Sequence, residues 1–207
     1  MIHRVRFASC YVYSPGGSSV ASRRSRTLRA LLKAGGTGFQ SWYAVHVGQQ
    51  MDVPLLKDFL ARNPVVVPVP GNRSGSGGSF VAKRLAHALV QAGLGERVFS
   101  GLRRVRPVVK SATAPPGGRP TVAAHFDSFA IDSNVPIPHE ILLVDDVVTR
   151  GRTLLAAAAR FKEASPTSNV QAFALLRTLR HGLEIDRLFD PCVGEIRLRA
   201  GDARRKP

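Results

Sequence analysis

The sequence predicts an α/β protein with a doubly wound, mostly parallel sheet. Three short apolar runs, at residues 64–70, 141–144 and 170–176, have the length of buried strands. Helical patterns follow the first two runs, and strands that alternate with helices favour a parallel sheet covered by helices on both faces. With 207 residues, 44% of them apolar, the chain can form one sizeable core.

The N-terminal region is predicted to contain several elements without a recognisable motif. An apolar opening at Val5 to Tyr13 leads through a turn into a helix at Ser18 to Ala34. A strand at Trp42 to Val47 and a short helix at Val53 to Ala61 follow. The first helix is expected to be basic around Arg23 and to bury one stripe of side chains. The residues expected in that stripe are Val20, Thr27, Leu28, Leu31 and Leu32.

The next unit combines a strand, a loop of small residues and a helix. The strand lies at Pro64 to Pro70, the Gly/Ser-rich loop at Gly71 to Ser79, and the helix at Phe80 to Val90. Small residues let backbone amides approach an anion closely, and Arg73 adds positive charge. A pyrophosphate group would fit this loop, although a flexible Gly/Ser loop without a ligand has the same composition.

The segment Ile141 to Thr153, with the sequence ILLVDDVVTRGRT, is the most informative part of the chain. Its apolar run ends at Asp145 and Asp146, which we expect at the carboxyl end of a buried strand, where open α/β sheets bind ligands. Two adjacent carboxylates suit a vicinal diol. The loop Thr149 to Thr153 then opens a helix whose first N–H groups and positive dipole end suit a phosphate. The alternative is an ordinary strand-to-helix turn, in which the acids only cap and solubilise.

This segment resembles the signature of the type I phosphoribosyltransferases, which bind 5-phosphoribosyl 1-diphosphate (PRPP). That signature has four apolar residues, two acids, two apolar residues and a Thr-x-Gly-x-Thr loop, and every defining position matches. The residues Val67 to Pro70 and the arginine-rich stretch at 102–111 are similar to ComF-type members. The resemblance implies the type I phosphoribosyltransferase fold, with a small hood from the N-terminal and C-terminal segments. Residues 1–62 would be the N-terminal hood or extension of the same globular unit, and residues 63–207 the core.

The resemblance also implies a reaction, the transfer of ribose 5-phosphate from PRPP to a nitrogen nucleophile with release of pyrophosphate. Its cofactor, Mg²⁺, would be carried mainly by the diphosphate, and the two acids would at most contact the ion indirectly. The implied catalytic residues are Asp145, Asp146 and Lys110. The implied 5-phosphate-binding residues are Thr149, Arg150, Gly151, Arg152 and Thr153. The implied pyrophosphate-binding residues are Pro70, Gly71, Asn72 and Arg73.

A proline-rich and glycine-rich run at about 107–121 has no periodicity and is expected to be a mobile loop that excludes water from the reaction. Lys110 and Arg119 are its candidate contacts to pyrophosphate, although both could be ordinary solvated cations.

The nitrogen acceptor is not specified by the sequence. His181, Phe189 and Cys192 could line a base pocket, but residues of these types more often have packing or surface roles. Further strands are expected at Val170 to Leu176 and Val193 to Leu198.

The net charge of the chain predicts a polyanionic partner. It carries 30 Lys+Arg against 14 Asp+Glu, a formal charge of +16, and nucleic-acid phosphates attract such a surface without sequence preference. The expected contacts are the helix around Arg23, residues 103–110 and residues 204–206. Compositional drift is the alternative explanation. A second functional hypothesis is therefore a PRPP-fold accessory protein that binds nucleic acid in DNA uptake or defence without transferase activity.

Cysteine content and hydropathy exclude several other classes. Cys10 and Cys192 are the only cysteines and form no Cys-x-x-Cys motif, so neither a disulfide scaffold nor a zinc site is expected. The zinc module of many ComF-type proteins is therefore missing. No run approaches the roughly 20 apolar residues of a membrane helix, and we expect a cytoplasmic protein with no membrane partner. The oligomeric state stays open, with a homodimer as one candidate.

Overall fold

The structure is a computed structural model that describes residues 2–34, 54–72, 80–109, 118–179 and 182–207. The strands in these ranges are β1 (Arg4–Tyr13), β2 (Val65–Pro68), β3 (Leu102–Arg104), β4 (Phe129–Ile131), β5 (Glu140–Val148), β6 (Asn169–Thr178), β7 (Phe189–Arg199) and β8 (Asp202–Lys206). The helices are α1 (Val20–Ala34), α2 (Pro54–Leu60), α3 (Phe80–Gln91), α4 (Val122–Ser128) and α5 (Arg152–Ala164).

The main sheet has six strands in the order β2-β5-β6-β1-β7-β8. The first four are mutually parallel, whereas β7 and β8 are antiparallel to their neighbours. β3 and β4 form a separate antiparallel pair. Because the carboxyl ends of parallel strands share one edge, the loops that follow β1, β2, β5 and β6 lie along the edge where α/β sheets bind ligands. The expected α/β class with a mostly parallel sheet is confirmed.

Helices cover both faces of this sheet, and the apolar side chains of β5 point alternately to one face and the other. Ile141 and Leu143 belong to one buried cluster together with the apolar side of α5. Leu142 and Val144 belong to a second cluster with residues of α1, α2 and α3. A strand whose side chains are buried on both faces has a continuous apolar sequence, which is why the sequence located β5 correctly.

The expectation of a hood built from the two terminal segments is not met by the described residues. β1 lies inside the main sheet, where it pairs with β6 on one side and β7 on the other. β7 and β8 extend the same sheet. The reason is that β1 has apolar side chains on both faces, and Val5, Phe7, Ala8 and Cys10 are buried, as an interior strand requires.

Helix α1 buries only part of the expected stripe, because Leu28 and Leu32 are buried as predicted whereas Val20, Thr27 and Leu31 are exposed. Val20 and Leu31 are 57% and 55% exposed. The buried residues of the helix are Ser22, Ser25, Leu28 and Leu32. Small serines face the loop after β1, where the Ser25 hydroxyl accepts the Ser14 N–H at 3.1 Å. Hydrogen bonding therefore places polar residues on the inner face, which a purely apolar pattern does not predict.

The other segment expectations have mixed outcomes. The helix expected at Val53 to Ala61 is observed as α2, and the helix expected from Phe80 is observed as α3. β8 was not expected, since its sequence, DARRK, has almost no apolar content. The strand expected at Trp42 to Val47 lies outside the described residues, as does most of the loop expected at 107–121. None of the helices in the described ranges is long and apolar enough to span a bilayer.

Candidate functional site

The two acids of the motif lie within β5, which continues past them to Val148, whereas the apolar pattern predicts the end of the strand at Asp145. Up to Val144, the side chains of β5 point alternately to the two faces of the sheet. After the acids this order is reversed: Val147 packs with the cluster of α1, α2 and α3, and Val148 packs with the cluster of α5. The Asp146 N–H donates to Asp145 Oδ1 at 2.8 Å, and the Val147 N–H donates to Asp146 Oδ1 at 2.9 Å. This local irregularity lets neighbouring carboxyl groups meet instead of pointing to opposite faces.

The environment of Asp145 favours its protonated form. Burial raises its pKa well above the usual range, and contact with the Asp146 carboxylate raises it further, while Arg104 acts in the opposite direction. A cation beside Asp145, or a ligand that develops positive charge there, would favour the ionised form of this carboxyl. The pair is therefore suited to a cationic partner.

The loop after β5 has the features of an anion site. Gly151 adopts φ 88° and precedes α5, and no side chain caps the first turn of this helix. A Cβ on Gly151 would lie 2.6–2.8 Å from three atoms of Ile196, so only glycine fits here. The first N–H groups of α5 and its positive dipole end are thus available to an anion. Thr149 is exposed at the start of the loop, with its hydroxyl 3.2 Å from that of Thr178.

The two arginines of this loop are committed to a carboxylate. Arg150 donates to Asp202 at 2.6 Å, and Arg152 forms a bidentate pair with the same carboxylate at 2.5 and 2.7 Å. The resemblance had implied that both bind the 5-phosphate. These bonds lower the pKa of Asp202 to about 2. Asp202 belongs to β8, whose presence the sequence did not indicate, and this is why its pairing with the loop was missed.

The loop after β2 lies beside the acids. The Val69 N–H donates to the Val144 carbonyl at 2.9 Å, which holds Pro70 next to the carboxyl end of β5. The Asn72 carbonyl accepts the Val108 N–H at 3.0 Å. Pro70 and Gly71 therefore lie near the carboxyl end of β5. Arg73 and Lys110, the cations expected at the pyrophosphate, lie outside the described residues.

Arg104 is a residue of the site that the sequence did not single out. Its side chain is only 2% exposed, and its guanidinium lies 4.3 Å from the ring centroid of Phe129. It donates to the carbonyls of Gly71 and Pro70 and to the Ser128 hydroxyl. Its pKa is lowered to about 10 by burial, an effect that the nearby Asp145 opposes. Arg104 thus connects the loop after β2 with α4 and with the acid pair.

His125 is the second residue that was missed. It is 5% exposed, and its Nδ1 lies 3.5 Å from Arg104 Nη2. An arginine can only donate, so Nδ1 is the acceptor and Nε2 carries the proton. Burial, with Arg104 and Arg152 nearby, lowers the pKa of His125 to about 4. The imidazole is therefore neutral at physiological pH and can accept from Arg104.

The pKa of His125 predicts an acid-sensitive fold. Its folded pKa, about 4, lies below the ordinary value of 6.5, so the unfolded chain binds the proton first. The contribution of His125 to the free energy of unfolding should therefore fall as pH decreases from 6.5 towards 4, by up to about 3 kcal/mol. Denaturant titrations across this range should give a shallower pH dependence for His125→Gln. Equal slopes for the two proteins would contradict this assignment. The Asp202 contribution is lost only below pH 3.8 and does not overlap.

The remaining predicted residues are distributed as follows. Arg119 is exposed, but its carbonyl and that of Pro120 lie 3.5 and 3.1 Å from Arg152 Nη1. The end of the expected mobile loop is thus next to the loop after β5. Phe189 packs edge-on against Tyr11 with ring centroids 5.6 Å apart, and Cys192 is buried. His181 lies outside the described residues.

No known family model matches the chain, and no curated protein is significantly similar to it. The resemblance to phosphoribosyltransferases therefore depends on residues 141–153, 67–70 and 102–111 of the sequence.

Proposed function

We propose that the protein binds PRPP and transfers its ribose 5-phosphate to a nitrogen nucleophile, with pyrophosphate as the leaving group. The observation that carries this proposal is the position of the Asp145 and Asp146 pair between two loops suited to anions. One loop, Pro70 to Asn72, is joined to β5 through Val69 and Val144. The other, Thr149 to Thr153, follows β5 directly. The overall fold proposed with this function is that of the type I phosphoribosyltransferases.

PRPP carries a 5-phosphate, a ribose diol and a diphosphate, in the same order as the three parts of this site. Its 5-phosphate suits the uncapped first turn of α5 and the Thr149 hydroxyl. Its ribose diol suits the oxygens of the adjacent carboxylates. Its diphosphate suits the backbone of the loop that Arg104 holds through the Pro70 and Gly71 carbonyls. A diol and two anionic groups on one small molecule would thus meet complementary groups along a single edge of the sheet.

In the proposed transfer, the lone pair of the acceptor nitrogen forms a bond to ribose carbon 1. The bond from carbon 1 to the diphosphate oxygen breaks, and its electron pair leaves with pyrophosphate. Positive charge that develops on the ribose would be stabilised by the carboxylates of Asp145 and Asp146. The raised pKa of Asp145 fits this role, because the ionised form gains most when a positive charge is close.

Mg²⁺ fits the donor set of this site. The ion usually keeps several waters and binds substrate phosphates, and the carboxylates of Asp145 and Asp146 would accept hydrogen bonds from those waters. The described residues contain no group of three or more His, Cys, Asp or Glu that could hold a metal ion, so the diphosphate would have to supply further ligands. When bound, Mg²⁺ would neutralise charge on the diphosphate and make it a better leaving group.

The transferase function is tested by pyrophosphate release from PRPP and Mg²⁺ with a panel of acceptors, including purine and pyrimidine bases, ammonia and carboxamides. We expect release with at least one acceptor, and a reduction of about a hundredfold or more in Asp146→Asn. Asp58→Asn is the matched control, since Asp58 is exposed on α2. Binding of PRPP without release for any acceptor would contradict the transferase function but not the PRPP site.

A second candidate function, nucleic-acid binding, is favoured by one specific observation. Arg197 on β7 lies directly opposite Arg4 on β1 and Arg204 on β8. Like charges opposite one another destabilise a sheet, and Glu195 contacts two of the three, at 3.9 Å from Arg4 and 2.5 Å from Arg197. A phosphate backbone would relieve this repulsion.

This candidate is tested by binding of a labelled oligonucleotide over a range of salt concentrations. The variant Arg4→Gln/Arg197→Gln should weaken binding and reduce the slope of log affinity against log salt by about two. The control is Arg62→Gln/Arg97→Gln, because these exposed arginines pair with Glu140 and Glu96 elsewhere. An equal loss in both variants would show only a general charge effect and would contradict this surface.

A further inference from the structure

A depression of about 280 Å³ lies beside the phosphate loop, on the side of the C-terminal strand. Its lining residues are Thr149, Arg150, Ala203, Arg204 and Arg205. Two of them belong to the loop after β5 and three to β8. The depression is therefore formed only where the two segments meet.

Arg205 holds this junction together and keeps one unused donor. Its Nε donates to the Thr149 carbonyl at 3.1 Å, and its Nη2 donates to the Thr178 carbonyl at 2.7 Å. The third nitrogen, Nη1, is buried and has no hydrogen-bond partner among the described residues. Buried donors are almost always paired in folded proteins, so an orphaned N–H calls for a partner. Burial and the proximity of Arg177 lower the pKa of Arg205, as expected for a cation that lacks a nearby anion.

The charge around the depression is not balanced by the protein. Arg150, Arg204 and Arg205 line the depression, and the carboxylate beside them, Asp202, is shared between Arg150 and Arg152. These four arginines carry three more positive charges than this carboxylate neutralises. Arg204 is exposed, and its side chain makes no hydrogen bond or ion pair with the described residues. A phosphate monoester carries close to two negative charges at neutral pH and offers several acceptor oxygens.

We propose that this depression binds a phosphoryl group, and that β8 supplies two of its cations through Arg204 and Arg205. The Thr149 hydroxyl adds a donor from the phosphate loop. The C-terminal strand would then be a part of the binding site and not only the edge of the sheet. The same chemistry could be presented by the 5-phosphate of PRPP, in which case the inference rests on the proposed function, or by a separate phosphate monoester.

The test is a ³¹P NMR titration with ribose 5-phosphate and with inorganic phosphate, alongside a titration with PRPP and Mg²⁺. The proteins are the wild type, Arg204→Gln and Arg205→Lys. Arg204→Gln is the primary variant, because its exposed side chain makes no contact on which folding depends. The matched control is Arg199→Gln, which removes the same charge from an exposed position of the same hairpin outside the depression.

The proposal predicts that Arg204→Gln weakens ribose 5-phosphate binding at least fivefold, because a charge-assisted contact is lost. Arg205→Lys should weaken this binding further. The control Arg199→Gln should change it less than twofold. A parallel loss of PRPP affinity identifies the 5-phosphate as the ligand. Unchanged PRPP affinity, with weakened inorganic phosphate, identifies a separate phosphate monoester.

Failure of this proposal is distinguishable from failure of the proposed function. The site is wrong if the wild type binds neither monophosphate probe, or if Arg204→Gln and Arg199→Gln behave alike. Absence of PRPP binding, with monophosphate binding that depends on Arg204, would contradict the transferase function and leave the anion site standing.

Discussion

Gly151→Ala should lower the free energy of unfolding by about 3 to 4 kcal/mol, from left-handed strain and overpacking together. The residue adopts φ 88°, a conformation that side chains with a Cβ disfavour. The new Cβ would also lie 2.6, 2.7 and 2.8 Å from Ile196 Cδ1, Cγ2 and Cγ1. Ile196 is fully buried between the sheet and the start of α5, so it cannot swing aside. Denaturant titration would measure the loss as a lower transition midpoint at an unchanged slope.

Gly201→Ala separates these two contributions. Gly201 also has a positive φ, 75°, but a Cβ there meets nothing within 4 Å. This variant should lose only about 1 kcal/mol, the cost of the conformation itself. In addition, Gly151→Ala should cost less in an Ile196→Ala background than in the wild type, because the clash is removed. Equal losses for the two glycine variants would contradict close packing between the phosphate loop and β7.

Arg104→Met should destabilise the fold by about 3 kcal/mol, because removing a buried charged donor leaves several acceptors without a partner. The carbonyls of Pro70 and Gly71 and the Ser128 hydroxyl all accept from this guanidinium. Loss of Arg104 also removes the positive charge that favours ionised Asp145. Because Arg104 holds the loop proposed to bind the diphosphate through the Pro70 and Gly71 carbonyls, we expect at least a tenfold loss of pyrophosphate affinity, which a structural residue outside the site would not cause.

Arg104→Lys and Arg103→Met complete this experiment. Lysine keeps the charge but lacks the planar fork that reaches two carbonyls at once, so it should restore part of the stability and little of the pyrophosphate affinity. Arg103 neighbours Arg104 on β3 but points to solvent, and its replacement should leave both quantities unchanged. A pyrophosphate affinity that is the same in Arg104→Lys and the wild type would show that Arg104 acts through charge alone, against the positioning role.

The sequence was sufficient to locate the parts of the site that lie on continuous apolar strands. Val65 to Pro68 and Ile141 to Val144 are buried on both faces, and their uninterrupted apolar character predicts strands for that reason. The loops that follow such parallel strands must lie at one edge of the sheet, so the sequence alone places Gly71 and Gly151 at the same edge.

The parts that escaped prediction depend on contacts between distant segments. Arg104 lies in a basic run whose residues look alike in sequence, and only its alternation on a short strand separates it from exposed Arg103. No sequence feature marked His125 as a site residue, because the residue type alone does not distinguish a buried neutral histidine from an exposed one. Asp202 belongs to an arginine-rich strand with little apolar content, and only the paired sheet places it against Arg152.

The central claim is that Asp145 and Asp146 belong to a PRPP site, and calorimetric titration of the wild type with PRPP and Mg²⁺, beside Asp145→Asn/Asp146→Asn, tests it most directly. The variant should remain folded at neutral pH. Burial and Asp146 raise the pKa of Asp145, so ionised Asp145 costs stability as pH rises through that pKa, and two neutral amides remove this cost. We predict a roughly micromolar dissociation constant for the wild type and no measurable binding by the variant. No binding by the folded wild type, or equal binding by both proteins, would contradict the claim.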